Sequence, residues 1–237
     1  MTKRLNWNQP TLNTGLAIAI GEFRDTTAID KFGYNSSVGS TYETVWDAGD
    51  VYAYPGSAVA LTATSAGGAT DENVEITIIG LDENWAEQTE VVTLDASGVA
   101  TTNNTFIRVF RAYTSNGQDL TGTCNITNGG VTYAQIGTEF QQTMMAVYTI
   151  PAGKTGYLVS GNISSQKDKD VTAKLMMREF GGVIRTKGLV LTPGQPFQRQ
   201  WVVPLAIPAK TDIEIRAKTG ATGPIAAGFE IILVENN

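Results

Sequence analysis

Asp212-Ile213-Glu214-Ile215-Arg216-Ala217-Lys218 decides the fold class. Its odd positions are apolar and its even positions charged, the period-two signature of a strand with one buried and one wet face. The same alternation continues on either side. Val171, Ala173, Leu175 and Met177 share one face of a strand over 171–180, and Tyr157, Val159 and Ile163 share one face over 156–164. Runs at 144–150, 183–191, 197–203 and 226–234 bring the strands in this stretch to seven, with the prolines falling in the connections. That number and spacing fit a jelly-roll-like β-sandwich.

The upstream half is also β. Segments 73–80 and 105–113 alternate, and further β-branched runs at 58–64, 90–94 and 124–127 are separated by turn chemistry such as Gly67-Gly68, Ser97-Gly98, Asn116-Gly117 and Gly129-Gly130. An immunoglobulin-like or related sandwich is the expectation there. Charge divides the two halves. Residues 1–140 hold 6 Lys+Arg and 16 Asp+Glu, a net of −10, whereas residues 141–237 hold 11 and 7, a net of +4. The chain therefore reads as an all-β protein with an N-terminal arm at 1–30, an acidic sandwich at 31–140 and a basic jelly-roll-like sandwich at 141–237 that should fold alone. The arm is rich in Asn and Thr, and its one aliphatic patch, Leu16, Ala17, Ile18, Ala19 and Ile20, has no evident partner strand. It reads as an assembly arm that docks on another domain or subunit.

Composition excludes much chemistry. The 237 residues include 17 Lys+Arg, 23 Asp+Glu, no histidine and one cysteine, Cys124. A Ser-His-Asp triad, a Cys-His pair, histidine-ligated metal, an intrachain disulfide and cysteine-ligated clusters are all ruled out. No glycine-rich phosphate loop occurs, so no cofactor is expected. Paired carboxylates are the remaining catalytic option: Asp47 with Asp50, Asp71 with Glu72, Asp82 with Glu83, and Glu87 with Glu90. All sit in or beside turns, where acids commonly cap the chain, and no catalytic residue is assigned. Asp47/Asp50 and Asp168/Asp170 fall short of a calcium loop, so no metal site is assigned either. Trp46 and Trp201 lie in apolar surroundings that suggest core, and Trp85, in the turn Asp82-Glu83-Asn84-Trp85-Ala86, is the candidate exposed contact. No segment approaches the roughly 20 apolar residues of a spanning helix, and the run at 16–20 is short for a secretory signal. A formal net charge of −6 argues against nucleic acid as a partner.

Several stretches resemble a recurrent class of two-domain virion structural proteins of tailed bacteriophages, especially those of marine bacteria. They are Lys31-Phe32-Gly33-Tyr34-Asn35, Glu43-Thr44-Val45-Trp46-Asp47, Ile79-Gly80-Leu81-Asp82, Glu90-Val91-Val92-Thr93-Leu94, Tyr148-Thr149-Ile150-Pro151-Ala152-Gly153-Lys154-Thr155 and Lys210-Thr211-Asp212-Ile213-Glu214-Ile215-Arg216-Ala217. These are turn and strand signatures, and they transfer no active site. The resemblance implies a non-enzymatic virion protein made in the host cytoplasm, partnered by other capsid or tail subunits. A capsid decoration, cement or head accessory role is preferred. A tail-associated adaptor or receptor-binding module, touching host surface glycan through loops such as 82–86, is the other reading. Acidic and basic halves suit contacts between neighbouring copies, and closed rings follow from one repeated heterologous contact, so a homo-oligomer, a trimer, is expected.

Overall fold

In a computed structural model, which describes residues 14–166 and 170–236, a short helix α1 (Thr14–Ala19) precedes strands β1 (Thr26–Val38) and β2 (Glu43–Thr44). One block then holds β3 (Val59–Ser65), β4 (Glu75–Leu81), β5 (Glu87–Thr93), β6 (Val99–Phe106), β7 (Arg108–Thr114), β8 (Cys124–Asn128) and β9 (Val131–Ile136). The remainder runs β10 (Val147–Thr149), β11 (Lys154–Ser165), β12 (Asp170–Arg178), β13 (Arg185–Pro193), β14 (Phe197–Ile207), β15 (Asp212–Thr219) and β16 (Gly223–Glu235). Trp7, Lys167, Asp168 and Lys169 lie outside the described residues.

One sheet has the order β1-β16-β11-β14 and a second the order β10-β15-β12-β13, with β2 also on β15. The pairs nest, β1 with β16, β10 with β15, β11 with β14 and β12 with β13, all antiparallel. That nesting is one long hairpin rolled into two facing sheets, a jelly roll. Leu158, Ile163, Phe229 and Ile231 of the first sheet share a core with Ala173, Met177, Ile213 and Ile215 of the second. Each of the larger side chains, Ala173 excepted, contributes roughly 1.5–3 kcal/mol by leaving water.

The block β3–β9 is an insertion in this roll. Thr44 of β2 pairs with Arg216, and Val147 of β10 pairs with Glu214, so the chain leaves and re-enters the roll beside β15 at almost the same point. The insert stacks a sheet β6-β3-β8-β9 on a sheet β5-β4-β7 around Leu61, Ile76, Ile78, Phe106, Ile126 and Ile136. Four strands on three is the layering of an immunoglobulin constant domain. The strand order is its own, with β3 interior between β6 and β8.

Three sequence expectations need correction. The arm boundary at residue 31, drawn from the Asn- and Thr-rich composition before it, does not follow the sheets: β1 crosses it and pairs with β16 from Thr26↔Val234 to Val38↔Gly223, so the roll draws on both ends of the chain. Segment 105–113 is two strands, because at Ile107, whose N–H donates to Leu81, the chain passes from one sheet of the insert to the other. In β11 the buried positions are Gly156, Leu158, Ser160 and Ile163, while Tyr157 and Val159 are half-buried, because an irregularity between Leu158 and Ser160 resets the alternation.

Candidate functional site

The two sandwiches meet through a buried ion cluster. Arg108, at the start of β7, reaches across to Asp212, at the start of β15, with Nε donating to Oδ1 at 2.6 Å and Nη2 to Oδ2 at 3.0 Å. Its remaining nitrogen, Nη1, donates to the carbonyls of Pro55 and Ile107. Arg178, at the end of β12, donates to the same carboxylate through Nε at 2.9 Å and Nη2 at 2.5 Å, and Thr149 Oγ1 adds a bond at 2.7 Å. The ring of Tyr54 lies under both guanidinium groups, 5.1 Å from Arg108 and 4.6 Å from Arg178.

Trp85 completes this junction. The Asp82 carboxylate accepts from the N–H groups of Asn84 at 2.8 Å and Ala86 at 2.9 Å, and the turn so closed forces Trp85 to φ 66°. A bulky residue rarely adopts that conformation. The Trp85 carbonyl accepts from Ala152 N–H of the jelly roll at 2.8 Å. Its ring lies 4.5 Å from the Arg108 guanidinium and 5.5 Å, edge to face, from Phe180. The expected exposed contact is therefore a half-buried wall of a cleft of about 340 Å³ shared by both sandwiches.

A second cavity between the sandwiches, of about 360 Å³, is lined by Lys31, Asp30, Phe110, Arg111 and Tyr148. Lys31 Nζ donates to the Phe110 carbonyl. Burial, with Arg111 nearby, pushes the Lys31 ammonium down to about 7. Burial pushes the Asp47 carboxyl up to about 7, although both its oxygens accept from Met144 N–H, at 2.7 and 2.9 Å.

Three of the other acids proposed from sequence hold structure together, whereas Asp50, Glu72 and Glu83 are exposed. Asp71 is fully buried and accepts from Ser65 Oγ, from Thr121 N–H and Oγ1, and from Gly122 N–H. Glu87 pairs with Lys154 at 2.6 Å, and Glu90 accepts from the N–H groups of Asn103 and Asn104. Among the described residues no group of three or more acids or cysteines is placed to hold a metal ion. Cys124 is a buried free thiol, and Trp46 is core. Trp201 is half-buried at an edge, under the Arg199 guanidinium.

The segment expected to be an assembly arm carries α1 and the first residues of β1 in its described part. In α1, Ala17 is buried and Ile18 half-buried, whereas Leu16 and Ala19, and Ile20 just beyond the helix, are exposed. Sequence reasoning missed a larger apolar surface. Leu189 and Leu191 of β13 and Val202 and Val203 of β14 are exposed, because β13 and β14 are edge strands of the two sheets. Between Leu158 and Ser160 of β11 the partner in β14 jumps from Leu205 to Gln200, so residues 201–204 bulge from the edge. Alternation cannot signal this, since it assigns apolar residues to the core. The insert is also more one-sided in charge than the half-chain count implies. Residues 59–136 contain nine Asp+Glu, no lysine, and only Arg108 and Arg111 as cations.

No family model and no curated protein matches the chain. Among solved structures it is similar to a chain of infectious bursal disease virus, Gt strain, at 13% identity, covering 90% of this chain and 73% of that one with a TM-score of 0.25. It is similar to the VP2 subviral particle of the same virus at 12% identity, covering 90% and 72% with a TM-score of 0.23. A third likeness, to the T13 viral particle, has 15% identity, 88% and 69% coverage and a TM-score of 0.25.

Proposed function

We propose that this chain is a non-enzymatic structural protein of a bacteriophage virion, acting as a capsid decoration or head accessory protein. The observation that carries the reading is the β14 edge, where Val202 and Val203 are 99% and 80% exposed on a bulge of an eleven-residue strand. Soluble proteins blunt such edges with charge or cover them, and an exposed β-branched pair on this edge, with further exposed leucines on the β13 edge of the other sheet, suits a surface that is covered on assembly. Charge supports the same reading: the insert offers an acidic lobe, and the roll carries most of the cations. One repeated contact of edge against neighbour closes a ring, and three copies is the assembly we propose, with Leu16 and Ile20 of the arm fastening it to the particle.

Sedimentation equilibrium of the purified protein tests this. The wild type should sediment at three times the chain mass and Val202→Lys/Val203→Lys as a monomer, and a wild-type monomer at every concentration would refute the ring. Particles assembled with a 1–30 deletion should lack the protein, and full incorporation would remove the arm from the account. A tail-associated receptor-binding module is the second reading, favoured by the cleft beside Trp85. Hundreds of copies per particle favour the head, and about six to a dozen favour the tail.

A further inference from the structure

The cleft beside Trp85 has the composition of a ligand site that the junction itself does not need. Its walls come from both sandwiches: Trp85 and Arg108 from the insert, Arg178, Phe180 and Lys210 from the roll, with Tyr54 at the crossing between them. Two non-glycine residues with left-handed backbone, Trp85 at φ 66° and Lys210 at φ 61°, line this one cleft. Either position is cheaper for glycine or asparagine, and strain of this kind concentrates at binding sites, where the side chain rather than the backbone is what is needed.

The polar groups left over define the ligand. Arg108 uses all its nitrogens internally, but Arg178 commits only Nε and Nη2 to Asp212, leaving Nη1 free to donate. Lys210 makes no ion pair among the described residues, and its Nζ stands 5.1 Å from the Phe180 ring centre and 5.9 Å from that of Trp85. The Tyr54 hydroxyl is buried with no hydrogen-bond partner. Burial holds its pKa well above the ordinary tyrosine value, so it remains a donor. Asp212 is saturated by the two arginines and Thr149, and the other acid at the rim, Glu179, faces Lys187 at 3.9 Å. The cleft surface therefore offers two donors, Arg178 Nη1 and Lys210 Nζ, surplus positive charge and two aromatic surfaces, one of them that of Phe180, which is 64% exposed.

We propose that this cleft binds a carboxylate-bearing sugar unit of an acidic polysaccharide. The carboxylate meets Lys210 and Arg178 as charge-assisted acceptor, and the apolar face of the sugar ring lies on the exposed ring of Phe180, with Trp85, at 88° to it, as the side wall. The cleft volume of about 340 Å³ is at the small end for ligand sites and suits a short saccharide segment. A phosphopeptide would satisfy the cations but leave the aromatic surfaces idle. The site gives the receptor-binding reading its ligand class and rests on that reading only there. Binding is a property of the purified chain, whereas place in the particle is decided by copy number, so the two fail separately.

The test is calorimetric titration of the full-length protein with tetragalacturonate, maltotetraose and inorganic phosphate. Tetragalacturonate should bind at least about tenfold more tightly than either of the others. Lys210→Gly relieves a left-handed residue and should melt at or above the wild-type temperature, and Phe180→Ala, which gives up the edge contact with Trp85, should melt only slightly below it, yet both should bind at least about tenfold more weakly. Absence of binding to tetragalacturonate, equal binding of maltotetraose, equal binding of phosphate, or unchanged affinity in both variants would each overturn the proposal.

Discussion

Asp212→Asn should be the most damaging single polar substitution at the junction. The carboxylate side chain is 2% exposed and accepts five hydrogen bonds, two from Arg108, two from Arg178 and one from Thr149. The amide keeps the shape, removes the charge and replaces one acceptor by a donor, so two guanidinium groups converge on a neutral group. Removing one partner of a buried ion pair costs about 3–5 kcal/mol. Arg108, at 6% side-chain exposure, should incur nearly all of that, whereas Arg178, at 32%, regains hydration and adds no more than about 1 kcal/mol. Urea unfolding followed by circular dichroism, with linear extrapolation, measures the loss. The expected result is about 3–5 kcal/mol for Asp212→Asn and about 1 kcal/mol for Arg178→Met. The double variant should lose less than the sum, since the second change removes a like charge. A loss below about 1 kcal/mol for Asp212→Asn would refute the view that this pair is desolvated and fastens the insert to the roll.

Stability should pass through a minimum near neutral pH. The folded pKa of Asp47, raised from 3.8 to about 7 by burial, favours the protonated form, so stability falls as pH rises from about 4 to about 7. Burial raises Glu214 and Asp30 as well, adding to that limb. Lys31, lowered from 10.5 to about 7, works the other way, and its cost is relieved as pH rises from about 7 to about 10.5. Urea midpoints between those limits should trace both limbs, and Lys31→Met should flatten the alkaline one; an unchanged alkaline limb in that variant would show that Lys31 is not its source. Gly33→Ala should cost at least about 3 kcal/mol, since the overpacking sets a methyl group 2.2 Å from the Val45 carbonyl and 2.3 Å from Ala146 N, both backbone atoms. Gly161→Ala, with nothing nearer than 3.5 Å, should be nearly neutral, both read by urea unfolding. Fragment 141–237, expected from charge to fold alone, is now expected to melt without cooperativity, because β16 loses β1 and the shared core loses Leu81, Ile107 and Phe110; a sharp transition would make β1 dispensable.

The legible strands were those whose alternation is clean. Residues 212–218 bury Ile213, Ile215 and Ala217 as their sequence requires, but the face expected to be wet is buried too at Asp212 and Glu214, because Arg108, Arg178 and Arg216 pair with those carboxylates. Strand β1 was invisible because its partly polar sequence buries Lys31 and Asn35 and passes Gly33 close to the Val45 carbonyl, which β-propensity does not register. The site was legible only as an aromatic in a turn. Trp85 could be singled out, but Arg108 and Asp212 are 104 residues apart, and no local pattern links them. The valines of β14 are legible as strand but not as exposed, because Leu158 pairs with Leu205 and Ser160 with Gln200, a mismatch that belongs to two strands and to neither sequence alone.

The pairing of Thr26 with Val234 also sets an order of events during synthesis. The insert is built from neighbours in sequence, β4 with β5 and β8 with β9, so its contacts close early and at small cost in chain entropy. β1 leaves the ribosome before the insert yet must wait for β16, which is made after every other strand. A nascent chain thus displays a finished acidic lobe beside an open roll. The unpaired backbone rows of β1 and β11, rather than the lobe, are what must be kept apart from other chains until β16 arrives to fill the gap between them.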